Sequence, residues 1–92
     1  QPEVNKLIAD TSLFINKIKV FGKKKNSQKI VEARLHLKTP GFYSINQINN
    51  SVNRVYYSGF FEKITYSIAK NDKNYTLNIN VEEKESNLFR AG

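Results

Sequence analysis

Between Ile45 and Tyr66 the spacing of apolar residues changes period. Ile45, Ile48, Val52, Val55 and Tyr56 fall at offsets 0, 3, 7, 10 and 11, which at about 3.6 residues per turn places them on roughly a third of a helix circumference. After Gly59 the period becomes two. Ile64, Tyr66 and Ile68 then lie on one side and Lys63, Thr65 and Ser67 on the other, the pattern of a strand covered on one face. Gly59 is expected to take the left-handed backbone that closes the helix, with Phe60 and Phe61 folding back to plug the corner between helix and strand.

Other stretches carry their own periods. From Leu13 to Phe21 the chain alternates, Ile18 and Val20 facing one way and Lys17 and Lys19 the other, which predicts a first strand ended by Gly22. Gly22 to Asn26 reads as a polar turn, and Ser27 as the cap of a short helix carrying Ile30, Val31, Arg34 and Leu35. Thr39-Pro40-Gly41-Phe42 predicts a type II turn, since Pro presets the first central residue and Gly supplies the positive φ of the second. Ser44 and Gln47 have the spacing of a capping box at the start of the second helix. The strand from about Phe61 to Lys70 leads through the turn Asn71-Asp72-Lys73-Asn74 into a strict alternation of Tyr75, Leu77, Ile79 and Val81 with Thr76, Asn78, Asn80 and Glu82. The expected order is β-α-α-β-β: an α+β two-layer domain in which two helices cover one face of a three-stranded sheet.

Length allows one domain with a modest core, read here as residues 13–84. Residues 1–12, where Leu7 and Ile8 suit a single helical turn, read as a connector from a preceding domain, and residues 85–92 as a charged linker to another module. No window approaches the roughly 18 apolar residues of a membrane span, and the first residues lack the charged and apolar regions of a signal peptide. With no Cys there is no disulfide framework and no thiolate metal site.

The formal charge of +7 raises the question of anionic partners. Lysines are spread along every predicted element rather than gathered with aromatics on one face, which argues against nucleic acid. Only Lys23-Lys24-Lys25 forms a run. It falls in a turn and reads as a solvated loop before it reads as a phosphate or anionic-lipid contact. Weak contact with an anionic membrane surface stays open, as does self-association.

Catalytic chemistry is poorly supplied. One His, no Cys and two Asp leave no nucleophile beside an oriented base. His36, between Leu35 and Leu37 near a helix end, reads as a surface or cap-proximal residue. Glu82, Glu83 and Glu85 read as a solvated charge run, because neighbouring residues on a strand point to opposite faces. No cofactor motif or metal-ligand spacing occurs. Asn49-Asn50-Ser51 and Asn74-Tyr75-Thr76 match the glycosylation sequon, as chance allows in an Asn-rich chain. What remains is the sheet edge, whose unpaired N–H and C=O groups another extended chain can join. Lysines such as Lys63 and Lys70 are the residues that would instead blunt it.

Four segments taken together resemble a known family: Ile18-Lys19-Val20-Phe21-Gly22, Leu35-His36-Leu37-Lys38-Thr39-Pro40-Gly41, Tyr57-Ser58-Gly59-Phe60-Phe61-Glu62-Lys63-Ile64, and Leu77-Asn78-Ile79-Asn80-Val81-Glu82-Glu83-Lys84. In order and spacing they are similar to the POTRA (polypeptide-transport-associated) domain, most specifically in the glycine-phenylalanine corner and the V-x-E-type last strand. The resemblance implies a three-stranded mixed sheet packed by two antiparallel helices. It also implies a non-enzymatic periplasmic module placed before an outer-membrane β-barrel of the Omp85 class, binding extended polypeptide, either its own passenger or barrel strands. The exposed edge it implies is the strand from Phe61 to Lys70, lined by Lys63, Thr65 and Ser67. The tail from Glu83 to Gly92 resembles the junction in patatin-like phospholipase autotransporters, the type Vd group, whose catalytic domain would lie elsewhere in the chain. Two alternatives are a passive spacer or oligomerisation domain, and a POTRA domain of a general outer-membrane assembly factor.

Overall fold

The structure, a computed structural model, describes residues 11–84. The connector read at 1–12, apart from its last two residues, and the linker read at 85–92 lie outside the described residues. The elements are β1 (Ser12–Phe21), α1 (Asn26–Leu35), β2 (Gly41–Ser44), α2 (Ile45–Tyr56), β3 (Phe61–Asn71) and β4 (Asn74–Glu83).

The sheet has four strands in the order β2-β1-β4-β3, not three. It is mixed: β1 runs parallel to β4, while β1–β2 and β3–β4 are antiparallel. The additional strand occupies the stretch expected to be a type II turn. Gly41 does not have positive φ, so that turn does not form. Gly41 serves close approach instead, since a Cβ there would lie 2.8 Å from the Lys38 carbonyl oxygen and 3.0 Å from the Tyr43 ring. Tyr43 fastens the preceding loop by donating its hydroxyl to the Lys38 carbonyl at 2.7 Å and accepting from the Lys38 N–H at 2.8 Å. Phe42 pairs across the strands with Phe14, ring centroids 4.9 Å apart.

Between Ile15 and Lys17 the register of β1 on β4 shifts, and Asn16 is the extra residue. Such a bulge reverses the side-chain alternation. Ile15 and Ile18, three apart in sequence, therefore both reach the helix-covered face. There Leu77, Ile79 and Val81 of β4 meet Val31 and Leu35 of α1, Ile48, Val52 and Val55 of α2, Ile15 and Phe61. Burying each of these apolar side chains is worth about 1.5–3 kcal/mol as an upper estimate.

The capping box of α2 is formed as the spacing predicts, with Gln47 N–H donating to Ser44 Oγ at 3.1 Å and Ser44 N–H to Gln47 Oε1 at 2.8 Å. Tyr56 leaves the apolar stripe and is exposed. The start of α1 differs from expectation: its cap is Lys25, with no side-chain cap bond, and Ser27 lies inside the first turn. His36 is exposed and left-handed (φ 59°) at the C-cap of α1.

After α2, the N–H groups of Tyr57, Ser58 and Gly59 return to the carbonyls of Asn53, Val55 and Tyr56. Gly59 has φ +90°, and no atom lies within 4 Å of the site a Cβ would take. Its requirement is therefore backbone conformation alone. Gly59→Val is expected to lower stability by about 1–3 kcal/mol, and Gly59→Asn by less, because Asn tolerates the left-handed region. Equal melting temperatures for wild type and the Val variant would contradict this.

Candidate functional site: the sheet edge and the Glu83 latch

Lys63, Thr65 and Ser67 are exposed on the sheet face opposite the helices, on β3, which is an outer strand. Register places them beside Glu82, Asn80 and Asn78 of β4. On the other face of β3, Ile64, Tyr66 and Ile68 are half-buried and pack against the core. The Tyr66 hydroxyl donates to Asn49 Oδ1 on α2, and burial raises the phenol above its ordinary pKa of 10.0.

Among the described residues the sheet offers three unpaired edge segments, and two are blunted. β2 is four residues long and is entered through Pro40, which has no N–H. On β1, Asn16 to Phe21 run past the end of β2, and this stretch carries Lys17 and Lys19. β3 is eleven residues long. Its charges, Glu62, Lys63 and Lys70, sit toward the ends, and its register irregularity lies between Phe61 and Lys63. Ile64 to Ala69 contain neither charge nor proline. Charges, bulges, brevity and proline are what protect an edge. The centre of β3 has none of them.

Of the two corner phenylalanines, Phe61 is buried in the core, whereas Phe60 is 44% exposed beneath the Arg34 guanidinium, 4.7 Å from its ring centroid. Arg54 Nη1 donates to the Leu35 carbonyl at 3.1 Å and ties α2 to the end of α1.

Glu83 is not a solvated charge. Its carboxylate accepts from the Ser27 hydroxyl and from the backbone N–H groups of Lys24 (3.1 Å) and Lys23 (3.4 Å). Desolvation raises its pKa, but the hydrogen bonds from Ser27, Lys24, its own backbone and Lys23 outweigh that, bringing it from 4.5 to about 2. The latch joins the end of β4 to the β1–α1 turn, so the Lys23–Lys25 run contributes backbone donors while its side chains face solvent. The signal was present in the sequence, because Glu83 shares the parity of Leu77, Ile79 and Val81 and so points to the helix side. Gly22 makes room for it: a Cβ there would lie 2.6 Å from Glu83 Oε2 and 2.7 Å from Val81 Cγ2.

No group of three or more His, Cys, Asp or Glu able to hold a metal occurs among the described residues. No helix among them is long and apolar enough to cross a membrane.

A family model described as "POTRA: Surface antigen variable number repeat" matches residues 13–84. No curated protein matches the sequence. Among solved structures, POTRA1-2 of the periplasmic domain of Omp85 from Anabaena superposes with a TM-score of 0.73 at 12% identity, covering 83% of this chain and 49% of that one. The N-terminal domain of Omp85 from Thermosynechococcus elongatus gives 0.73 at 14% identity, covering 80% of this chain and 32% of that one. POTRA1-3 of the Anabaena protein gives 0.69 at 20% identity, covering 85% and 37%. The chain thus spans half or less of the length of these structures, and at such identities they show a shared fold.

Proposed function

The chain belongs to the POTRA family, and from that membership we propose that it is a non-catalytic periplasmic module that takes up extended polypeptide along β3 during outer-membrane protein assembly or transport. The observation that carries the reading is the uncharged, proline-free stretch from Ile64 to Ala69 on an outer strand. An incoming strand would bond to the backbone of this stretch, so affinity would come from main-chain groups and side chains would only select. Lys63, Thr65 and Ser67 would line the open face of the joint.

The bound polypeptide would be a passenger or strands of an adjoining β-barrel. A narrower placement, in the patatin-like phospholipase autotransporters of type Vd, is supported by the resemblance of Glu83 to Gly92 to the junction of that group. It is tested by the residues that adjoin these 92 in the full polypeptide: a patatin-like domain before them and a barrel after them support it, and further POTRA modules on both sides count against it.

Strand addition has a direct readout. On titration with an extended peptide, amide resonances of Ile64 to Ala69 are expected to shift and their outward N–H groups to gain exchange protection. The same peptide N-methylated along one edge is expected to lose binding, while the protein itself is untouched. Shifts confined to other surfaces, or N-methylation without effect, would overturn the reading in favour of a passive spacer.

A further inference from the structure

Resting on that reading, we propose that β3 selects its partner strand by pattern: apolar at alternate positions over about six residues, small or hydroxylic between them, and acidic at the flank that meets Lys70. The two faces of β3 differ. Toward the helices, Ile64, Tyr66 and Ile68 pack on the core from one side and remain half-exposed at the sheet margin. A strand laid beside β3 would set every second side chain against this row, within cross-strand contact distance. Apolar residues there finish burying surface that the domain leaves half-wet. On the opposite face the neighbours are Thr65, Ser67 and Ala69, short side chains without charge, and a strand with small or hydroxylic residues fits them without an unpaired buried group.

Charge distinguishes the ends. Lys70 follows the neutral stretch and is exposed, whereas Lys63, which precedes it, adjoins the exposed Glu62. Lys17 and Lys19 occupy β1 on the same open face as Lys63, and register places Glu82 beside Lys63. With a formal charge of +7 overall, the field at the edge favours an acidic segment and repels a basic one. The same charge argues against a second copy as occupant. Antiparallel pairing of two β3 strands centred on Tyr66 would match their apolar rows, but would bring together two domains that each carry +7.

Four ten-residue peptides with free β3-binding backbones test this. The first alternates Val or Ile with Ser or Thr between acidic flanks, the second has the same composition without alternation, the third has lysine flanks, and the fourth has neutral flanks. Affinity is measured by isothermal titration, with the β3 amides monitored by NMR. The alternating acidic peptide is expected to bind about tenfold more tightly than the non-alternating one. It is also expected to bind more tightly than the neutral-flanked one by a margin that shrinks between low and high salt, with the lysine-flanked peptide weakest. Equal binding of all four at β3 would overturn the selectivity and leave strand addition standing. Binding of none of them at β3 would overturn both. A concentration-dependent dimer in sedimentation whose interface maps to β3 would replace the acidic strand by a second copy and overturn the proposal.

Discussion

Gly22→Ala is expected to destabilise the domain by about 2–4 kcal/mol, which for a domain of this size lowers the melting temperature by roughly 10–25 °C. The added methyl would meet Glu83 Oε2 at 2.6 Å and Val81 Cγ2 at 2.7 Å, both closer than real contacts allow. Neither neighbour can step aside cheaply. Val81 is buried in the core at 6% exposure, and the Glu83 carboxylate is held by three donors. Relief by moving the carboxylate gives up charge-assisted hydrogen bonds, each worth more than a neutral one. Relief by moving the strand opens the core where β1 meets β4. Because one clash is with the carboxylate itself, Gly22→Ala and Glu83→Ala should cost less together than the sum of their separate effects. Thermal denaturation of the two single variants and the double variant measures that coupling. A Gly22→Ala domain melting within about 2 °C of wild type would show that the turn yields more easily than its contacts imply.

The parts of this fold legible in the sequence are those where one long face is buried. Ile48, Val52 and Val55 repeat over about two turns of α2, Leu77, Ile79 and Val81 alternate along β4, and all of them reach the core. Shorter or interrupted elements were legible only in part, each for its own reason. β2 has four residues, too few for a period, and its Pro-Gly entry mimics a turn. The bulge at Asn16 breaks the alternation of β1: strict alternation would set Ile15 on the face of Lys17 and Lys19, whereas it is fully buried in the core. Ser27 had the position of a cap, but a hydroxyl in the first turn can serve a distant acceptor, and Glu83 lies 56 residues away. Long-range polar pairs leave no local spacing to detect. Lys63, Thr65 and Ser67 of β3 are exposed and alternate with the half-buried Ile64, Tyr66 and Ile68, as a strand covered on one face requires. What parity could not show is that the other two edge segments are blunted, because that depends on the strand order.

Glu83→Gln is expected to cost about 1–3 kcal/mol at neutral pH. The amide keeps one acceptor oxygen, and with that oxygen in the place of Oε2, accepting from Ser27 and Lys24, its NH2 group becomes a donor facing the Lys23 N–H. The cost should depend on pH in a definite direction. The folded-state pKa of Glu83, about 2, lies below its ordinary value of 4.5. The ionised latch therefore contributes fully above about pH 4.5 and loses its contribution as pH falls toward 2. Urea titrations of wild type and variant at pH 7, 5, 3.5 and 2.5 should show a constant gap between the first two and a narrowing gap below them. A gap as wide at pH 2.5 as at pH 7 would mean that packing, not the ionised carboxylate, accounts for the loss. Ser27→Ala separates the donors further. It removes the hydroxyl while leaving both backbone N–H groups in place, so it should raise the Glu83 pKa part of the way toward 4.5 and move the narrowing to higher pH. The β1–α1 turn is thus predicted to be held by one carboxylate whose protonation loosens it, at the opposite face of the sheet from Thr65 and Ser67. Peptide uptake along β3 should consequently survive Glu83→Gln at neutral pH as long as the sheet remains folded.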